Sequence, residues 1–325
     1  MFASPTITTR AFEVTDTRRL EEILLLNWGA KAGRSHYDAF FVTLADDPLA
    51  SGRTLVAEIA GQVVGFGMIG QHEWHASAAI LGINVAPSFR RRGVGGALYE
   101  ALLETWTRLH GPRPVRAVAS EKQPDAARFL EQRGFNEDNR TLQPMLEFAN
   151  VDEAAFQRVL ERLEQRGISV RSLTNLGSDP DYELRAAALL GSVYTSAHSV
   201  SEARDGILLE DWLWELREYK ADGVMIAIRN GAYIGFGGFH ENPLLPNPEG
   251  FLYGTLASHA VIELEISLGI IASQVRYLRA RGFENLHLQI DSDDLNGMAL
   301  IKALPITPQP AFVTYLRPLE LTRTG

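Results

Sequence analysis

Apolar runs and turn residues in the first 148 positions predict a mixed series of strands and helices. The series is strand, helix, hairpin, strand, long helix, strand, helix and closing strand. These elements are assigned to residues 7–12, 16–28, 54–59 with 63–69, 78–85, 94–109, 115–119, 124–134 and 142–148. The long helix has the clearest pattern, because Val94, Leu98 and Leu102 recur at helical spacing. This order of elements is typical of an α+β unit.

The same pattern returns in the second half of the chain. The stretch Val64–Gly67 is matched by Ile234–Gly237, an offset of 170 residues. Asn230-Gly231 is a strong hairpin signal at the corresponding place, and the strand at 115–119 falls on 285–289. Because order and spacing both hold, we interpret the chain as two copies of one α+β unit.

Residues 151–166, between the two copies, predict an amphipathic and charged helix that ends before Gly167. Phe156, Val159 and Leu163 share one face of this helix, so we expect it to pack against a domain and not to form a loose tether. The predicted organisation is a first domain at 1–150, a connecting helix at 151–167 and a second domain at 168–325.

Composition narrows the class of protein. With 46% hydrophobic and 22% charged residues over 325 positions, the chain is expected to be soluble, globular and cytoplasmic. A net charge of -9 disfavours nucleic acid and membrane partners. The absence of cysteine excludes disulfides, thiolate metal sites and a cysteine acyl-enzyme. We expect no signal peptide, no membrane-spanning segment and no metal.

A basic, glycine-rich segment from Arg90 to Gly96 lies between the end of a strand and the start of the long helix. Backbone N–H groups at a helix start lack partners within the helix, and together with the helix dipole they favour an anion. Glycines at 93, 95 and 96 let a diphosphate approach the main chain, and arginines at 90–92 add charge-assisted hydrogen bonds. The segment predicts a diphosphate site; the alternative is a glycine-rich turn with solvated arginines.

Two familiar nucleotide motifs do not fit this segment. A dinucleotide-binding Gly-x-Gly-x-x-Gly follows the first strand of a βαβ unit, whereas this segment comes after a hairpin and a further strand. A nucleoside triphosphate loop requires Gly-Lys-Ser/Thr, which the segment lacks. The diphosphate is therefore expected to belong to another class of ligand.

Three stretches together resemble the GNAT superfamily of N-acyltransferases. They are Val85-x-Pro87, then Arg90-x-x-Gly93-x-Gly95, then Ala127 to Phe135 with its terminal Gly-Phe pair. The resemblance covers residues 5–148 well and the rest weakly. It implies an α+β fold of two lobes, each a mixed, mostly antiparallel twisted sheet flanked by helices. The chain looks like a tandem member of the family with a degenerate C-terminal lobe.

The resemblance also implies a ligand, acetyl-coenzyme A or another acyl-coenzyme A, held in the first lobe. Its diphosphate is expected on the loop, and the strand that carries Ile83 and Val85 is expected to splay from its neighbour and pair with the pantetheine arm. The N–H of Val85 is expected to polarise the thioester carbonyl. The cofactor-binding residues implied are Ile83, Val85, Arg90, Arg91, Arg92, Gly93, Val94, Gly95 and Gly96.

The catalytic residues depart from the family pattern. Leu130 occupies the position where many members carry a proton-donating tyrosine, the strand before Val85 lacks the frequent glutamate, and Gln123 replaces a frequent asparagine. Other residues must then carry the protons. The candidates are Glu73 or His75 as the base and Glu121, with Ser120, for proton return; an ordinary structural role is the alternative for each.

The second copy lacks the loop. Under the offset of 170, the basic stretch at 90–93 falls on Ala260 to Glu263, and Gly95 falls on Glu265. Glutamates at a helix start stabilise the helix dipole and repel a diphosphate. The sequence therefore predicts a cofactor site in the first copy only.

These expectations combine into one activity. The chain is expected to be an acetyl-coenzyme A-dependent N-acetyltransferase that acts on a primary amine of a small molecule or peptide. Because no cysteine is present to form an acyl-enzyme, direct transfer in a ternary complex is expected. The alternative from another class is a catalytically silent coenzyme A-binding sensor or scaffold. The sequence specifies neither the acceptor, the acyl chain length nor the oligomeric state.

Overall fold

The computed structural model of the chain describes residues 6–28, 52–71, 74–75, 77–197, 206–241, 247–257 and 259–319. Within these ranges, no helix has the length and apolar character that crossing a membrane requires. The chain divides into two compact units. The first comprises Met1–Ala119, Gln123–Asp138 and Thr314–Gly325, and the second comprises Ser120–Lys122 and Asn139–Val313.

The first unit is a mixed sheet with helices packed on it, as predicted. The elements that lie wholly or partly in it are β1 (Ile7–Ala11), α1 (Thr17–Trp28), β2 (Gly52–Ile59), β3 (Gln62–Gln71), β4 (Ala79–Val85), α2 (Val94–His110), β5 (Val115–Ser120), α3 (Pro124–Glu131), β6 (Asn136–Leu142) and the last strand of the chain, β14 (Phe312–Arg317). The sheet order is β1-β2-β3-β4-β5-β14-β6. Neighbours from β1 to β4 are antiparallel, and β4 and β5 are parallel.

The second unit is built in the same way. Its elements are β7 (Met145–Glu147), α4 (Glu153–Gln165), β8 (Ile168–Ser172), α5 (Tyr182–Ala197), α6 (Leu209–Glu218), β9 (Met225–Arg229), β10 (Ala232–His240), β11 (Glu249–Thr255), α7 (Ala260–Ala280), β12 (Asn285–Asp291), α8 (Leu295–Ala303) and β13 (Ile306–Thr307). The strand order is β8-β9-β10-β11-β12-β7, and β13 pairs with β7.

The structure confirms the predicted repeat. A shift of 170 residues carries β4 onto β11, so that Ala79–Val85 falls on Glu249–Thr255. The two hairpins also agree, because Ala60 and Gly61 have φ of 52° and 77°, and Asn230 and Gly231 have φ of 50° and 77°. Two consecutive left-handed residues form the turn whose twist matches paired strands.

Glycines on the central strands allow each long helix to approach its sheet. A Cβ on Gly67 of β3 would lie 2.7 Å from Leu102 of α2, and a Cβ on Gly235 of β10 would lie 2.6 Å from Ile266 of α7. Such distances are closer than carbon atoms approach without strain. The repeated Gly-Phe-Gly pattern is therefore a helix-packing device in both units.

The predicted closing strand at 142–148 is wrong in its bounds. The structure has β6 at Asn136–Leu142 and a separate β7 at Met145–Glu147, with Pro144 between them. These strands also join different partners than chain order suggests, since β14 lies between β5 and β6, and β7 lies between β12 and β13. Each sheet thus receives one strand from a distant part of the chain, and the compact units differ from the predicted boundaries at 150 and 168.

The predicted connecting helix is an integral part of the second unit. Phe156, Val159 and Leu163 of α4 are buried in the same apolar core as Val275 and Leu278 of α7. Ion pairs add to this packing, since Glu153 accepts from Arg276 at 2.8 Å and from Arg279 at 2.7 Å. The expected packed helix is confirmed, and its partner is α7.

Candidate active site

Strands β4 and β5 separate at their carboxyl ends. Their parallel pairing runs from Ala79 and Val115 to Leu81 and Ala117, and it stops there although both strands continue. Residues 82–85 of β4 and 118–120 of β5 therefore border an opening, which we call the notch. The splay expected from the family resemblance is present in the structure.

The main chain of Ile83 and Val85 faces the notch. The N–H of Ala86 donates to the carbonyl of Val64 at 2.9 Å, which makes these two residues a hydrogen-bonded pair of the ladder. The neighbouring pair, Gly65 with Val85, is then a non-hydrogen-bonded pair, so the N–H and C=O of Val85 point away from β3. By the same alternation, the N–H and C=O of Ile83 also point away from β3. Ile83 thus offers a donor and an acceptor to a ligand in the notch, whereas Val85 offers its N–H, because its carbonyl accepts from the Nε of Arg90 at 3.2 Å.

The loop at 90–93 leads directly from this strand into α2. Gly93 is the N-cap of α2 with φ of 88°, and no side chain caps the first turn. Arg91 also lies in the left-handed region, with φ of 61°. For a non-glycine residue this backbone conformation is unfavourable by about 1 kcal/mol or more of conformational free energy. Such strain is found mainly at functional sites, among them ligand-binding sites. The uncapped first-turn N–H groups beside an exposed loop are able to donate hydrogen bonds to an anion.

The three loop arginines differ in their contacts. Arg92 lies over the ring of Phe89, with its guanidinium carbon 5.3 Å from the ring centre. Arg90 donates hydrogen bonds to the carbonyl of Val85 and to the side chain of Asn27. Arg91 has no hydrogen-bond or ion-pair partner among the residues that the structure describes, and all three side chains are exposed. Arg91 is therefore the loop arginine best placed to meet an anionic ligand.

Glycines 95 and 96 make room for side chains of the neighbouring helix. A Cβ on Gly95 would lie 3.3 Å from Phe129, and a Cβ on Gly96 would lie 3.3 Å from the Nη2 of Arg133. The guanidinium carbon of Arg133 lies 3.7 Å from the centre of the Phe129 ring. The absence of side chains at these positions thus allows α2 and α3 to pack closely. The sequence analysis had explained these glycines only by the approach of a diphosphate.

Arg133 is a site neighbour that the sequence reading missed. Besides Phe129, its guanidinium lies over the ring of Tyr99 at 5.0 Å, and its Nη1 donates to the carbonyl of Phe129 at 3.0 Å. It adds a positive charge beside the first turn of α2. The spacing of four residues between Phe129 and Arg133 is the signal that could have indicated this pair.

The proposed proton-transfer residues fall in different places. Glu73 lies outside the described residues, and His75 lies within them, half-buried. Leu130, at the position of the family tyrosine, is buried in the unit. Asn84, one residue before the end of β4, has a buried side chain. Among the described residues no group of acidic, histidine or cysteine side chains could hold a metal.

Glu121 is held by two partners within the second unit. One carboxylate oxygen accepts from Arg140 at 2.5 Å, and the other accepts from the N–H of Ala311 at 2.8 Å. The N–H of Glu121 also donates to the carbonyl of Ala311 at 3.0 Å. Both oxygens are thus engaged in fixing the strand connection, which favours the structural alternative for this residue.

We expect Glu121→Gln to lower stability and leave transfer nearly unchanged. Loss of the charged bonds, which are partly exposed, should cost about 1 kcal/mol of unfolding free energy, while kcat should stay within about twofold. Urea denaturation and the acetyl-transfer rate measure the two effects. Glu73→Gln and His75→Gln serve as comparisons, because substitution of the residue that acts as the base should change the pH dependence of kcat/KM. A large fall in kcat for Glu121→Gln with unchanged stability would return this residue to the mechanism.

Among the residues of the second unit that the structure describes, there is no equivalent loop. Helix α7 begins at Ala260, whereas the shift of 170 from Val94 points to residue 264, so an extra helical turn occupies the place of the loop. Glu265 of this helix accepts from Arg162 at 2.8 Å and also pairs with Arg166. The main chain that would cradle a diphosphate is already in the helix, and a carboxylate lies where Gly95 lies in the first unit.

Residues 17–135 match the family model of the Acetyltransferase (GNAT) family. Over this range the chain is similar to acetyltransferases of the GNAT family. The matched range contains the notch, the loop and α2 and α3, and it ends at the Gly-Phe pair of residues 134–135. Members of this GNAT family use acetyl-coenzyme A as a co-substrate.

Two curated relatives carry the name mycothiol acetyltransferase. The protein of Parafrankia sp. (strain EAN1pec) is 25% identical over 331 residues, which cover 95% of this chain and 97% of the relative. The protein of Geodermatophilus obscurus is 34% identical over 142 residues, which cover 43% of this chain and 42% of the relative. The match to the Parafrankia protein thus covers nearly all of both chains.

Solved structures show the same tandem fold. A tandem GNAT protein from the clavulanic acid biosynthesis pathway has a TM-score of 0.67 and 16% identity, and the match covers 96% of this chain and 98% of that one. A GCN5-related N-acetyltransferase from Sphaerobacter thermophilus has a TM-score of 0.65 and 15% identity, covering 96% and 95%. The GNAT fold therefore extends over the second unit, which the family model does not reach.

Proposed function

We propose that the first unit binds acetyl-coenzyme A between the notch and the loop and transfers its acetyl group to a primary amine. The observation that carries this proposal is the pair of N–H groups of Ile83 and Val85 that face the notch, adjacent to the uncapped start of α2. The notch supplies hydrogen-bond partners for an extended amide-containing arm. The first turn of α2 with Arg91 supplies partners for a diphosphate.

Acetyl-coenzyme A supplies the acyl group as a thioester, which an amine attacks directly. The N–H of Val85 is placed to donate to the carbonyl oxygen, where negative charge grows as the amine nitrogen bonds to the carbon. The carbon–sulfur bond then breaks, the amine loses a proton to a base, and the thiolate gains a proton. With no cysteine in the chain, a covalent acyl-enzyme on a thiolate is excluded, and both substrates bind together.

The base is proposed to be Glu73 or His75, on the segment that follows β3. Leu130 has no titratable group, so the thiolate must take its proton from another residue or from solvent. A thiolate is a good leaving group, which makes water a sufficient donor. The mechanism thus depends more on positioning than on a dedicated acid.

The acceptor is proposed to be an amine of a small molecule or peptide. A mycothiol-type acceptor is the first to test, because the Parafrankia relative with that name matches nearly the whole chain. Because this relative is 25% identical, a panel of other amines is tested beside it. The panel comprises amino sugars, amino acids and peptide N-termini.

We expect one molecule of acetyl-coenzyme A to bind per chain. Isothermal titration measures the stoichiometry, and the double variant Arg91→Glu/Gly95→Glu should abolish the heat signal. The control is Val261→Glu, at the exposed position of α7 that corresponds to Arg91 under the offset of 170 residues. Two sites per chain, or none, would contradict the proposal. Thioester cleavage over the amine panel separates a transferase from a silent binder.

A further inference from the structure

The exposed Arg90 side chain is held by two hydrogen bonds to the protein. Its Nε donates to the carbonyl of Val85 at 3.2 Å, and its Nη2 donates to the Oδ1 of Asn27 at 2.7 Å. One guanidinium thus ties the end of β4 to the last turn of α1. A side chain used in this way is not oriented toward a phosphate.

A buried amide network continues this tie. The Oδ1 of Asn84 accepts from the Nδ2 of Asn27 at 3.2 Å and from the indole Nε1 of Trp28 at 3.1 Å. Asn84 is only 7% exposed, and it lies between the two notch residues Ile83 and Val85. Since buried amides that lose a partner are costly, this network fixes the geometry of the strand end.

The carbonyl of Val85 presents an electrostatic problem for thioester binding. In an extended residue the N–H and C=O on one side of the strand point in the same direction. A thioester carbonyl oxygen that accepts from the N–H of Val85 therefore lies beside the Val85 carbonyl oxygen, and the two oxygens repel each other. A donor on the Val85 carbonyl removes this repulsion, and Arg90 supplies that donor.

We propose that Arg90 is a positioning residue that neutralises the Val85 carbonyl, leaving the Val85 N–H to bind the acyl oxygen. This role rests on the proposed function of the first unit and assigns Arg90 to the acyl group, whereas the sequence pattern had assigned it to the diphosphate. Arg91 remains the loop arginine for phosphate. The two arginines then differ in which part of the co-substrate they affect.

Arg90→Lys separates the two roles. Lysine keeps the positive charge that a phosphate needs, but its single ammonium group cannot replace a planar fork that donates to Val85 and Asn27 at once. If Arg90 binds phosphate, lysine should largely restore binding. If Arg90 positions the strand end, Arg90→Lys should behave like Arg90→Met.

The test compares coenzyme A with acetyl-coenzyme A on wild type, Arg90→Lys, Arg90→Met and Arg91→Lys. We expect Arg90→Lys to leave the Kd of coenzyme A within about threefold and to raise that of acetyl-coenzyme A about tenfold. The infrared carbonyl band of bound [1-13C]acetyl-coenzyme A should return toward its position in free solution. Arg91→Lys should weaken both ligands by the same factor and leave the band in place.

Each remaining outcome is decisive. Equal weakening of both ligands by Arg90→Lys, or no change in the acetyl-coenzyme A Kd and carbonyl band, overturns the positioning role. Asn27→Ala provides a second variant, expected to shift the band in the same direction by a smaller amount, because it removes only one of the two anchors. If wild type binds neither ligand, the proposed function fails, and that result is distinct from failure of the Arg90 role.

Discussion

Arg91→Glu is expected to lower the affinity for acetyl-coenzyme A by at least about 100-fold. The substitution removes charge-assisted hydrogen bonds worth about 1.5–3 kcal/mol and adds repulsion between a carboxylate and a diphosphate. Arg91 is exposed and has no hydrogen-bond or ion-pair partner in the described part of the chain, so little else should change. Isothermal titration measures the effect directly.

Arg91→Gly isolates the side chain from the backbone. Because Arg91 has φ of 61°, glycine relieves a strained conformation, while it also adds freedom to the unfolded chain. These effects oppose each other, so stability should stay within about 0.5 kcal/mol. Affinity should nevertheless fall at least about tenfold. A glycine variant with wild-type affinity would show that the main chain alone holds the ligand.

Arg108→Glu is the matched control for Arg91→Glu. Arg108 is exposed and lies in the last turn of α2, the helix that follows the loop. The change in net charge is identical, whereas the position is at the opposite end of α2. Equal losses of affinity for the two variants would mean that overall charge, and not the loop, attracts the ligand.

The second large effect concerns Glu215 of α6 in the second unit. Burial, together with the nearby charge of Glu218, raises the pKa of Glu215 from 4.5 to about 7, although a hydrogen bond from Tyr219 opposes this rise. The folded chain therefore holds the proton of Glu215 more tightly than the unfolded chain does. Stability from this group is present below about pH 4.5 and is lost as pH rises to about 7.

Glu215→Gln is expected to stabilise the second unit at pH 8 by about 2–3 kcal/mol and to have little effect at pH 4.5. A neutral amide keeps the size of the side chain and removes the buried charge. Because burial lowers the pKa of His240, that group acts with the opposite sign, and the difference between variant and wild type cancels its contribution. Urea denaturation at the two pH values measures the effect.

Glu210→Gln controls for the loss of a negative charge on the same helix. Glu210 is exposed in the first turn of α6, so its neutralisation should change stability by less than about 0.5 kcal/mol at either pH. A stabilisation by Glu215→Gln that is equal at both pH values would show that its carboxyl is not protonated in the folded unit. The predicted linkage would then be wrong.

Local pattern determined much of the fold. The hairpins, the long helices and the repeat at 170 residues follow from turn residues and from apolar spacing, which act over a few neighbouring positions. The basic loop between a strand and a helix was visible for the same reason. So was its loss in the second copy, because Glu263 and Glu265 replace small or basic residues.

Tertiary structure decided which strand joins which sheet. The apolar run at 142–148 predicts a strand but not the sheet that it joins, because strand pairing depends on backbone groups that are distant in the chain. The predicted boundaries at 150 and 168 treated the chain as two consecutive segments. The compact units instead include Thr314–Gly325 in the first and Asn139–Val313 in the second.

The sequence by itself indicated the resemblance to the GNAT family, the basic loop and the unit that carries this loop, since these depend on residue types and spacing along the chain. Only the tertiary structure decided how individual loop residues act. It turned Arg90 toward Val85 and Asn27, left Arg91 facing outward, and placed Arg133 against Gly96. The physical reason is that side-chain direction and hydrogen-bond partners are set by elements distant in sequence, whereas helix and strand periodicity are set by near neighbours.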